Sequence, residues 1–267
     1  MPELNALEPE EIQKGLESAR LGKRIHYFPE LDSTNQYAFH LAKAGGEEGE
    51  VVIAECQTRG KGRLGRSWFS PPGLNLYLSV VLKPRLPPAQ APRLTLMAAV
   101  ALAETVQSFL GAPPAIKWPN DILVGGKKLA GILTESSSGA ERLDFVVIGI
   151  GVNLNLPESA LPEEIRATAT SLLMLTKKAV DRAAFTRELI RSLDRCYGEL
   201  EERGFPGIAG RWEAFFELKG RRVRVEMGDR QLGGTARGID ADGALIVEEE
   251  GGALTRVIAG DVIPLEP

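Results

Sequence analysis

The sequence predicts an α+β fold, in which a mixed and largely antiparallel sheet is flanked by helices and followed by a small β-barrel. Three observations favour this fold. Strand-like runs follow one another with few helices between them, and glycine (29) and proline (17) are frequent among the 267 residues. After position 218, short alternating runs are separated by Gly- and Asp-containing turns. We therefore divide the chain into a helical segment or linker at 1–23, a main domain at 24–218 and a barrel at 219–267.

The first half of the chain is predicted to supply two helices and the first strands. Pro9 suits an early helical position and Gly22 suits a helix end. Ile12 and Leu16 fall on one face between them. In chain order we predict a helix at 8–22, a strand at 24–28, a helix capped by Ser33 or Asp32 that ends at Gly45-Gly46, and strands at 51–55 and 75–82.

The second half is predicted to combine two long helices with many short strands. Apolar residues from Leu94 to Phe109 recur at helical spacing, which indicates a core helix rather than a cofactor surface. A second apolar stripe runs from Phe185 to Leu200, and Gly204 suits its end. The predicted elements are a helix over 94–109, strands at 115–118, 122–124, 129–135 and 145–155, a helix at 182–203, and barrel strands at 221–227, 231–239, 244–249 and 254–258.

The charge and composition exclude several classes of function. The formal net charge is −4, so no overall basic field attracts the protein to DNA or to an anionic membrane. Two cysteines and two histidines complete no zinc pattern and leave little room for a Ser-His-Asp triad. The N-terminus lacks the apolar core of a signal peptide, and the most apolar stretch, 145–156, is too short to span a bilayer. We therefore predict a cytoplasmic protein that does not enter membranes.

A Gly- and Arg-rich connection between two predicted strands is the most informative segment. Four cations, Arg59, Lys61, Arg63 and Arg66, fall among three glycines with no acidic residue. The glycines match a dinucleotide-binding pattern, but that site requires a helix here, and the Ser-Pro-Pro-Gly run at 70–73 cannot form one. Because glycines allow close backbone approach and the cations attract phosphate, we interpret the loop as an anion site. A solvated basic loop is the alternative.

Three further features combine strands or turns with a lysine or an asparagine. Lys-Trp-Pro-Asn-Asp at 117–121 presents a polar turn at a strand end, since the residue before proline is extended; such residues also form ordinary turns. Lys128 begins an apolar strand, where desolvation of its amine would matter, although lysines at loop ends are usually solvated. The strand at 145–155 carries Asn153 and Asn155. A buried asparagine needs partners, which a ligand or a turn can supply.

Taken together, these segments resemble the motifs of the biotin–protein ligase family. The family patterns are S-T-N, Q-x-x-G-[RK]-G-R-x-G-R-x-W, K-W-P-N-D, K-[LI]-[AG]-G-[IV]-L-x-E and G-x-G-[IV]-N. They match positions 33–35, 57–68, 117–121, 128–135 and 149–153, in that order. Lys61 departs from the common arginine, which keeps the charge but loses bidentate geometry.

The resemblance implies a fold and a reaction. The fold would be similar to that of class II aminoacyl-tRNA synthetases and lipoate ligases, with 24–218 as the catalytic domain and an SH3-like barrel at the C-terminus. Biotin and ATP would give biotinyl-5′-AMP and pyrophosphate. A lysine on a biotin carboxyl carrier protein domain, such as that of acetyl-CoA carboxylase, would then take the biotinyl group. Mg²⁺ would accompany ATP, without an assigned protein ligand, and a homodimer stays open.

The resemblance also implies roles for individual residues. The residues implied to bind biotin are Ser33, Thr34, Asn35, Gln57, Lys61, Gly62, Arg63, Lys128 and Gly131. Those implied to bind ATP are Arg66, Trp68, Lys117, Asn120, Asp121 and Asn153. The implied catalytic residues are Lys128, Arg63 and Asp121, of which Asp121 would serve as base in the second step.

Two rival functions stay open from the sequence alone. A lipoate or octanoate ligase of the same superfamily would also adenylate a small carboxylic acid, so only the pocket discriminates between the substrates. A nucleic-acid-binding regulator would use the basic loop and the barrel, but the barrel carries 7 basic and 9 acidic residues. Many family members carry an N-terminal winged helix-turn-helix, which this sequence lacks, and residues 3–23 resemble the linker that follows it. We therefore expect no sequence-specific DNA binding.

Overall fold

The structure, a computed structural model, describes residues 7–17 and 19–265. Seven strands form one mixed sheet with helices packed on both faces, and five later strands form a second sheet. This architecture confirms the predicted α+β class with a separate small β-domain. Part of the predicted segment 1–23, namely residues 1–6 and 18, lies outside the described residues.

The main domain follows the predicted order of helices and strands closely. Three of the predicted helices are confirmed, and the longest begins and ends at the predicted residues, Arg182 and Arg203. In chain order the elements are α1 (Pro9–Gln13), β1 (Ile25–Phe28), α2 (Thr34–Lys43), β2 (Val51–Ala54), β3 (Leu76–Leu82), α3 (Ala91–Leu110), β4 (Ala115–Lys117), β5 (Asp121–Val124), β6 (Lys127–Ser138), β7 (Leu143–Val152), α4 (Glu163–Arg166), α5 (Leu172–Thr176), α6 (Arg182–Arg203) and α7 (Pro206–Phe215).

The strand order of the large sheet, β1-β2-β3-β7-β6-β5-β4, places its centre between β3 and β6. β1 and β2 are parallel because α2 crosses between them, as a parallel connection requires. The other neighbours are antiparallel, and Gly125-Gly126, with positive φ at both residues, turns β5 into β6. The register aligns Ser79, Gly149 and Leu133 in one row across the central strands.

The two faces of the large sheet pack against different helices. On one face, α3 and α6 complete the main hydrophobic core. On the other face, α2 covers a smaller apolar cluster that includes Val52, Val81, Phe145 and Val147. The part of this face that carries Gly149 and Gly151 lines an open pocket instead. The sheet therefore offers a site beside the N-terminus of α2.

The helix α3 is apolar along most of its length. The helical stretch Pro88–Leu110 is long and apolar enough to cross a membrane, judged by length and composition alone. Its side chains lie in the main core, where α3 packs against α6, α7 and the sheet. Such burial is typical of a helix that is apolar on most of its surface. At 23 residues this stretch is longer than the apolar run at 145–156.

The second sheet belongs to the C-terminal domain and is antiparallel throughout. Its order is β11-β10-β9-β8-β12. It packs on the main domain, where Trp118 Nε1 donates to the backbone oxygen of Gly243 at 3.1 Å and Arg93 pairs with Asp242 at 3.0 Å. The strands are β8 (Arg222–Met227), β9 (Arg230–Ile239), β10 (Leu245–Glu248), β11 (Leu254–Val257) and β12 (Asp261–Pro264). The sequence predicted the first four and missed β12, a short edge strand that ends in proline.

The predicted helix at 8–22 is wrong in its length. α1 ends at Gln13, and Gly15 has a positive φ of 82°. The backbone oxygen of Gly15 accepts hydrogen bonds from Arg191 at 2.9 and 3.2 Å, so the chain turns there to meet α6. Ile12 and Leu16 are nevertheless buried. The apolar pattern therefore predicted the burial of these residues correctly, but the helix does not continue beyond Gln13.

Three helices were not predicted at all. α4 and α5 have only four and five residues, which is too short for a helical period to show. α7 contains Gly207 and Gly210, which lower its intrinsic helix propensity. Its buried residues Ile208 and Trp212 pack in the main core, so tertiary contacts stabilise a helix that local preference disfavours.

Candidate functional site

The pocket beside α2 contains every residue that the sequence predicted to bind biotin. It encloses about 470 Å³, including its open mouth. We call it the first pocket. The predicted site residues that line it are Ser33, Thr34, Asn35, Gln57, Lys61, Gly62, Arg63, Trp68, Asn120, Lys128 and Gly131. The structure thus brings together residues that lie far apart in the chain, such as Asn35 and Leu133, which are 98 positions apart and share a hydrogen bond.

One wall of the first pocket consists of buried polar groups at the start of α2. Ser33 caps this helix by accepting a hydrogen bond from the Gln36 amide at 3.5 Å. Gln57 Oε1 accepts from the backbone N–H of Thr34 at 2.8 Å and from its hydroxyl at 3.1 Å. Gln57 Nε2 donates to Ser70 Oγ at 3.1 Å. Because each side chain is held by the next, this wall is preorganised for a polar ligand.

The basic loop, 58–66, forms a tight hairpin rather than an extended connection. The Trp68 amide donates to the Gly60 oxygen at 2.9 Å, and the Gly62 amide donates to the Arg66 oxygen at 2.7 Å. Leu64 and Gly65 reverse the chain with positive φ values of 54° and 74°. The Rossmann alternative is excluded by this geometry, because no α-helix starts at the loop.

The four cations of the basic loop have different partners. Arg59 pairs with Asp32, and donation by Arg59 and Thr58 holds the pKa of the Asp32 carboxyl below its usual value. Arg66 is mostly exposed and pairs with Asp261 of the C-terminal domain at 2.6 Å. Lys61 and Arg63 line the first pocket. The hairpin therefore points two cations at the pocket while acidic side chains hold the other two.

Trp68 lies on a floor made by two glycines. Gly131 and Gly151 are cross-strand partners in β6 and β7. A Cβ atom at Gly151 would lie 2.5 Å from Trp68 Nε1, and one at Gly131 would lie 3.1 Å from the Trp68 ring. Gly151 is therefore required where the indole approaches the sheet, and a Cβ atom at Gly131 would fit only tightly. The Nε1 of Trp68 is buried and has no hydrogen-bond partner among the described residues.

Lys128 stands between the first pocket and a neighbouring cavity. Its Nζ lies 2.8 Å from Asp121 Oδ1 and 5.3 Å from the centre of the Trp68 ring. Its backbone N–H donates to the Thr168 oxygen at 2.7 Å, and its oxygen accepts from the Thr170 amide at 2.9 Å. The backbone at this position is thus fixed from both sides, while the side chain remains about one-third exposed.

A second cavity opens on the other side of Trp68. It measures about 1040 Å³ including its open mouth, and Trp68 and Lys128 line both cavities. Asn153 lines it and donates through Nδ2 to the Thr170 oxygen at 3.0 Å. Phe69, Leu156, Pro162, Ile165 and Ala169 add apolar surface. An apolar cavity that is walled by a tryptophan and bordered by a lysine suits a flat ring that carries an anionic group.

Three of the residues that the sequence predicted to bind ATP line neither cavity. Arg66 faces the C-terminal domain, as described above. Lys117 ends β4 and lies opposite Asp121 in the sheet register. Asp121 meets Lys128 instead of the open space. Asn120 does line the first pocket, where it accepts a hydrogen bond from Arg63 Nη1 at 3.0 Å and donates to the Ile132 oxygen at 2.8 Å.

Several lining residues were not predicted. Gly149 and Gly151 belong to the Gly-x-Gly motif that carried the resemblance, so a signal for them was present in the sequence. Ile165, Thr168 and Ala169 lie in the segment between β7 and α6, for which the sequence gave no interpretable pattern. That segment reaches the site only because it pairs with Lys128 in the folded chain.

The first pocket is electropositive. Lys61, Arg63 and Lys128 line it, and no acidic side chain of the described residues does. Across residues 7–17 and 19–265, no group of three or more His, Cys, Asp or Glu side chains could hold a metal ion. The cationic lining suits an anionic ligand.

Two family models match the chain. The biotin/lipoate A/B protein ligase family matches residues 27–153, which contain the first pocket. The biotin protein ligase C-terminal domain matches residues 219–263, which contain the second sheet except its last residue, Pro264.

Relatives and solved structures agree with these matches. The chain is 35% identical to "Biotin--[acetyl-CoA-carboxylase] ligase" of Mycobacterium tuberculosis, over 99% of this chain and 100% of the relative. It is 35% identical to "Bifunctional ligase/repressor BirA" of Bacillus subtilis, over 96% of this chain and 78% of the relative. The structure superposes with a TM-score of 0.78 on a biotin protein ligase from Aquifex aeolicus in complex with biotin and ATP, at 29% identity, covering 92% of this chain and 100% of the other. On this evidence of sequence and fold, the chain belongs to the biotin protein ligase family of enzymes.

Proposed function

We propose that this ligase activates biotin with ATP in the two cavities that meet at Trp68 and Lys128, and then transfers the biotinyl group to a lysine of a carrier protein. The single observation that carries this proposal is the meeting of a polar pocket and an apolar cavity at one lysine. Because Lys128 borders both, a carboxylate from one side and a phosphate from the other can share its charge.

The first pocket suits biotin. Its ureido head group has N–H donors and a carbonyl acceptor, which match the polar wall formed by Thr34 and Gln57. Its carboxylate would extend toward Lys61, Arg63 and Lys128, the cations at the open side. The relative from Aquifex aeolicus, with 29% sequence identity, is solved with biotin and ATP bound, which supports the same pair of ligands here.

The second cavity suits the nucleotide. An adenine ring would pack on Trp68 or Phe69 among apolar side chains, with Asn153 at its edge. A carboxylate oxygen of biotin then attacks the α-phosphorus, a P–O bond to the β-phosphate breaks, and pyrophosphate leaves. Lys128 and Arg63 stabilise the negative charge that grows on the phosphoryl oxygens. Mg²⁺ would enter with ATP, since it takes most of its ligands from phosphate and water.

The second step requires the loss of a proton from the acceptor lysine. A lysine with a pKa near 10.4 is neutral only about once in 2,500 at pH 7, so a base is needed. Asp121 is the carboxylate beside Lys128. We assign it this role once Lys128 has turned to the adenylate phosphate and released it. The lysine nitrogen then attacks the acyl carbon of biotinyl-5′-AMP, and AMP leaves.

The acceptor that we propose is a biotin carboxyl carrier protein domain in the cytoplasm. The relative from Mycobacterium tuberculosis, 35% identical over its whole length, is named for acetyl-CoA carboxylase as its acceptor. Biotin-dependent carboxylases carry their biotin on such a domain, so this acceptor accounts for the second step. A homodimer remains a prediction, which the molar mass in solution would test.

Pyrophosphate exchange tests the activation step. The protein is incubated with ATP, labelled pyrophosphate and one carboxylic acid at a time, namely biotin, lipoate or octanoate. We expect exchange with biotin and at most a small fraction of it with the other two. Equal exchange with octanoate or lipoate would favour the rival function, which the family model for residues 27–153 shares.

A further inference from the structure

A chain of buried and partly buried hydrogen bonds runs behind the polar wall of the first pocket. Glu135 Oε2 accepts a hydrogen bond from Asn35 Nδ2 at 2.8 Å. Asn35 Nδ2 also donates to the backbone oxygen of Leu133 at 3.1 Å. Asn35 Oδ1 accepts from Ser79 Oγ at 2.8 Å, and Ser79 Oγ lies 2.9 Å from Thr34 Oγ1. The chain thus connects a carboxylate on β6 to the wall that faces the ligand.

The Asn35 amide makes its hydrogen bonds within the protein. Both of its N–H groups point at protein acceptors, Glu135 and Leu133. Its oxygen faces Ser79 and the backbone of Gly149, where a Cβ atom would lie only 2.0 Å from Oδ1. Asn35 is 4% exposed. Asn35 lines the first pocket and is also connected to Thr34 through Ser79.

We propose that Glu135 is a positioning residue, which sets the direction of the hydrogen bonds in the wall and thereby the discrimination between biotin and acids with apolar head groups. An asparagine amide can be reversed by rotation, which exchanges its oxygen and nitrogen. The Glu135 carboxylate and the Leu133 carbonyl only accept hydrogen bonds, so the NH₂ group must face them. The amide oxygen must then face Ser79.

This orientation propagates to the pocket. Ser79 has one proton and directs it to Asn35 Oδ1, so the Thr34 hydroxyl must donate to Ser79 Oγ or to Gln57 Oε1. The Gln57 amide is also held in one orientation. Its Oε1 accepts a hydrogen bond from the Thr34 backbone N–H, so its NH₂ group must point the other way. The wall therefore offers an acceptor at Thr34 Oγ1 and a donor at Gln57 Nε2. Thr34 Oγ1 keeps a lone pair and Gln57 Nε2 keeps a second proton beyond their bonds within the protein. A ureido group can pair with both, whereas an alkyl or dithiolane head leaves this remaining capacity unused.

The inference rests on the proposed function, and its first test replaces Glu135 by leucine and by glutamine. Glu135→Leu removes the acceptor, so we expect the KM for biotin in pyrophosphate exchange to rise roughly tenfold. Glu135→Gln keeps an acceptor oxygen of the same shape and should lie between leucine and the wild type. The KM for ATP and the kcat at saturating biotin should stay within about twofold. The preference for biotin over octanoate in kcat/KM should fall together with the biotin affinity.

A matched control and a second variant keep this test decisive. Asp144→Asn changes an exposed carboxylate on the adjacent strand β7, which bonds only to Ser137 at 3.3 Å among the described contacts, and should leave every parameter unchanged. Ser79→Ala removes a fully buried hydroxyl that does not line the pocket. It should also raise the KM for biotin, and it serves as the test if Glu135→Leu does not fold.

The double variant separates positioning from a general structural effect. Glu135 and Ser79 act through the same asparagine, so the combined rise in the KM for biotin should be smaller than the product of the two single effects. A folded Glu135→Leu protein with wild-type KM and wild-type preference for biotin would overturn the inference. So would independent, multiplicative effects of the two substitutions. A wild-type protein that fails to exchange with biotin would instead refute the proposed function on which the inference rests.

Discussion

Replacement of Lys128 by alanine should abolish adenylate formation while the protein stays folded. The amine borders both cavities, so its charge is placed where the biotin carboxylate and the α-phosphate must approach each other. Repulsion between these anions is greatest in the transition state, which is where the lysine contributes most. Loss of one such preorganised charge in a partly dry site typically costs about 3 kcal/mol or more, which corresponds to at least a hundredfold in rate.

The expected effect of this substitution on stability is much smaller. The pair between Lys128 and Asp121 is partly exposed, with the side chains 36% and 20% accessible. Such a pair contributes roughly 0.2–1 kcal/mol. The contact of the lysine with the Trp68 ring adds a comparable amount. The backbone hydrogen bonds to Thr168 and Thr170 do not depend on the side chain. The two losses together amount to at most about 2 kcal/mol, so we expect the melting temperature to fall by less than about 8 °C.

Two measurements on the same preparation decide this prediction. ATP–pyrophosphate exchange with biotin reports the chemistry, and a thermal melt reports the fold. Lys127→Ala is the matched control, because the neighbouring lysine on β6 lines a separate groove beside α5 and should retain exchange. Near-normal exchange by Lys128→Ala would remove this residue from the mechanism. A collapse of the melting temperature would make its role structural instead.

Three further predictions concern the loop, a helix and acid stability. Amide exchange in the basic loop should slow when biotin and ATP are added, because a bound anion offsets the repulsion among its cations; equal protection in both states would contradict this. Gly198→Ala should raise stability by about 0.5–1 kcal/mol in a thermal melt, since a Cβ atom there meets nothing within 4 Å in α6; an unchanged or lower melting temperature would refute it. Burial opposes the ionisation of Glu50, but hydrogen bonds from the Glu47 amide and His26 outweigh it, so that the pKa of Glu50 lies below its usual 4.5. The stability it provides is present above pH 4.5 and lost as the pH falls further, so the melting temperature of Glu50→Gln should decline less than that of the wild type in this acidic range.

Much of the site could be predicted from the sequence because its residues occur in short ordered motifs. Glycines interleaved with cations have few structural explanations, and the structure does direct Lys61 and Arg63 into the first pocket. What the motifs could not give was the partner of each cation. Arg66 pairs with Asp261 from a domain that begins 153 positions later in the chain, and only the fold brings the two together. Spacing in sequence carries no information about such contacts.

The second cavity shows a different limit. Its apolar surface comes largely from the segment between β7 and α6, where the helices are four and five residues long. A segment of this kind has no period from which burial can be recognised. It is fixed by backbone pairing with Lys128, a tertiary contact. The sequence therefore shows that residues such as Ile165 and Ala169 are apolar, but it does not show which residues they contact in the fold.

The glycines of β6 and β7 explain how an apolar sheet can hold a polar site. Glycine within a strand weakens the strand, because it adds entropy to the unfolded chain and offers no side chain for packing. Here the missing side chains provide space: Gly151 admits the Trp68 indole, and Gly149 admits the Asn35 amide. The adjacent Ile148, Ile150 and Val152 face the opposite side and keep the main core continuous. Successive residues of a strand point to opposite faces of the sheet. Over residues 149–151, one face of β7 therefore leaves space for the pocket while the other face packs in the core.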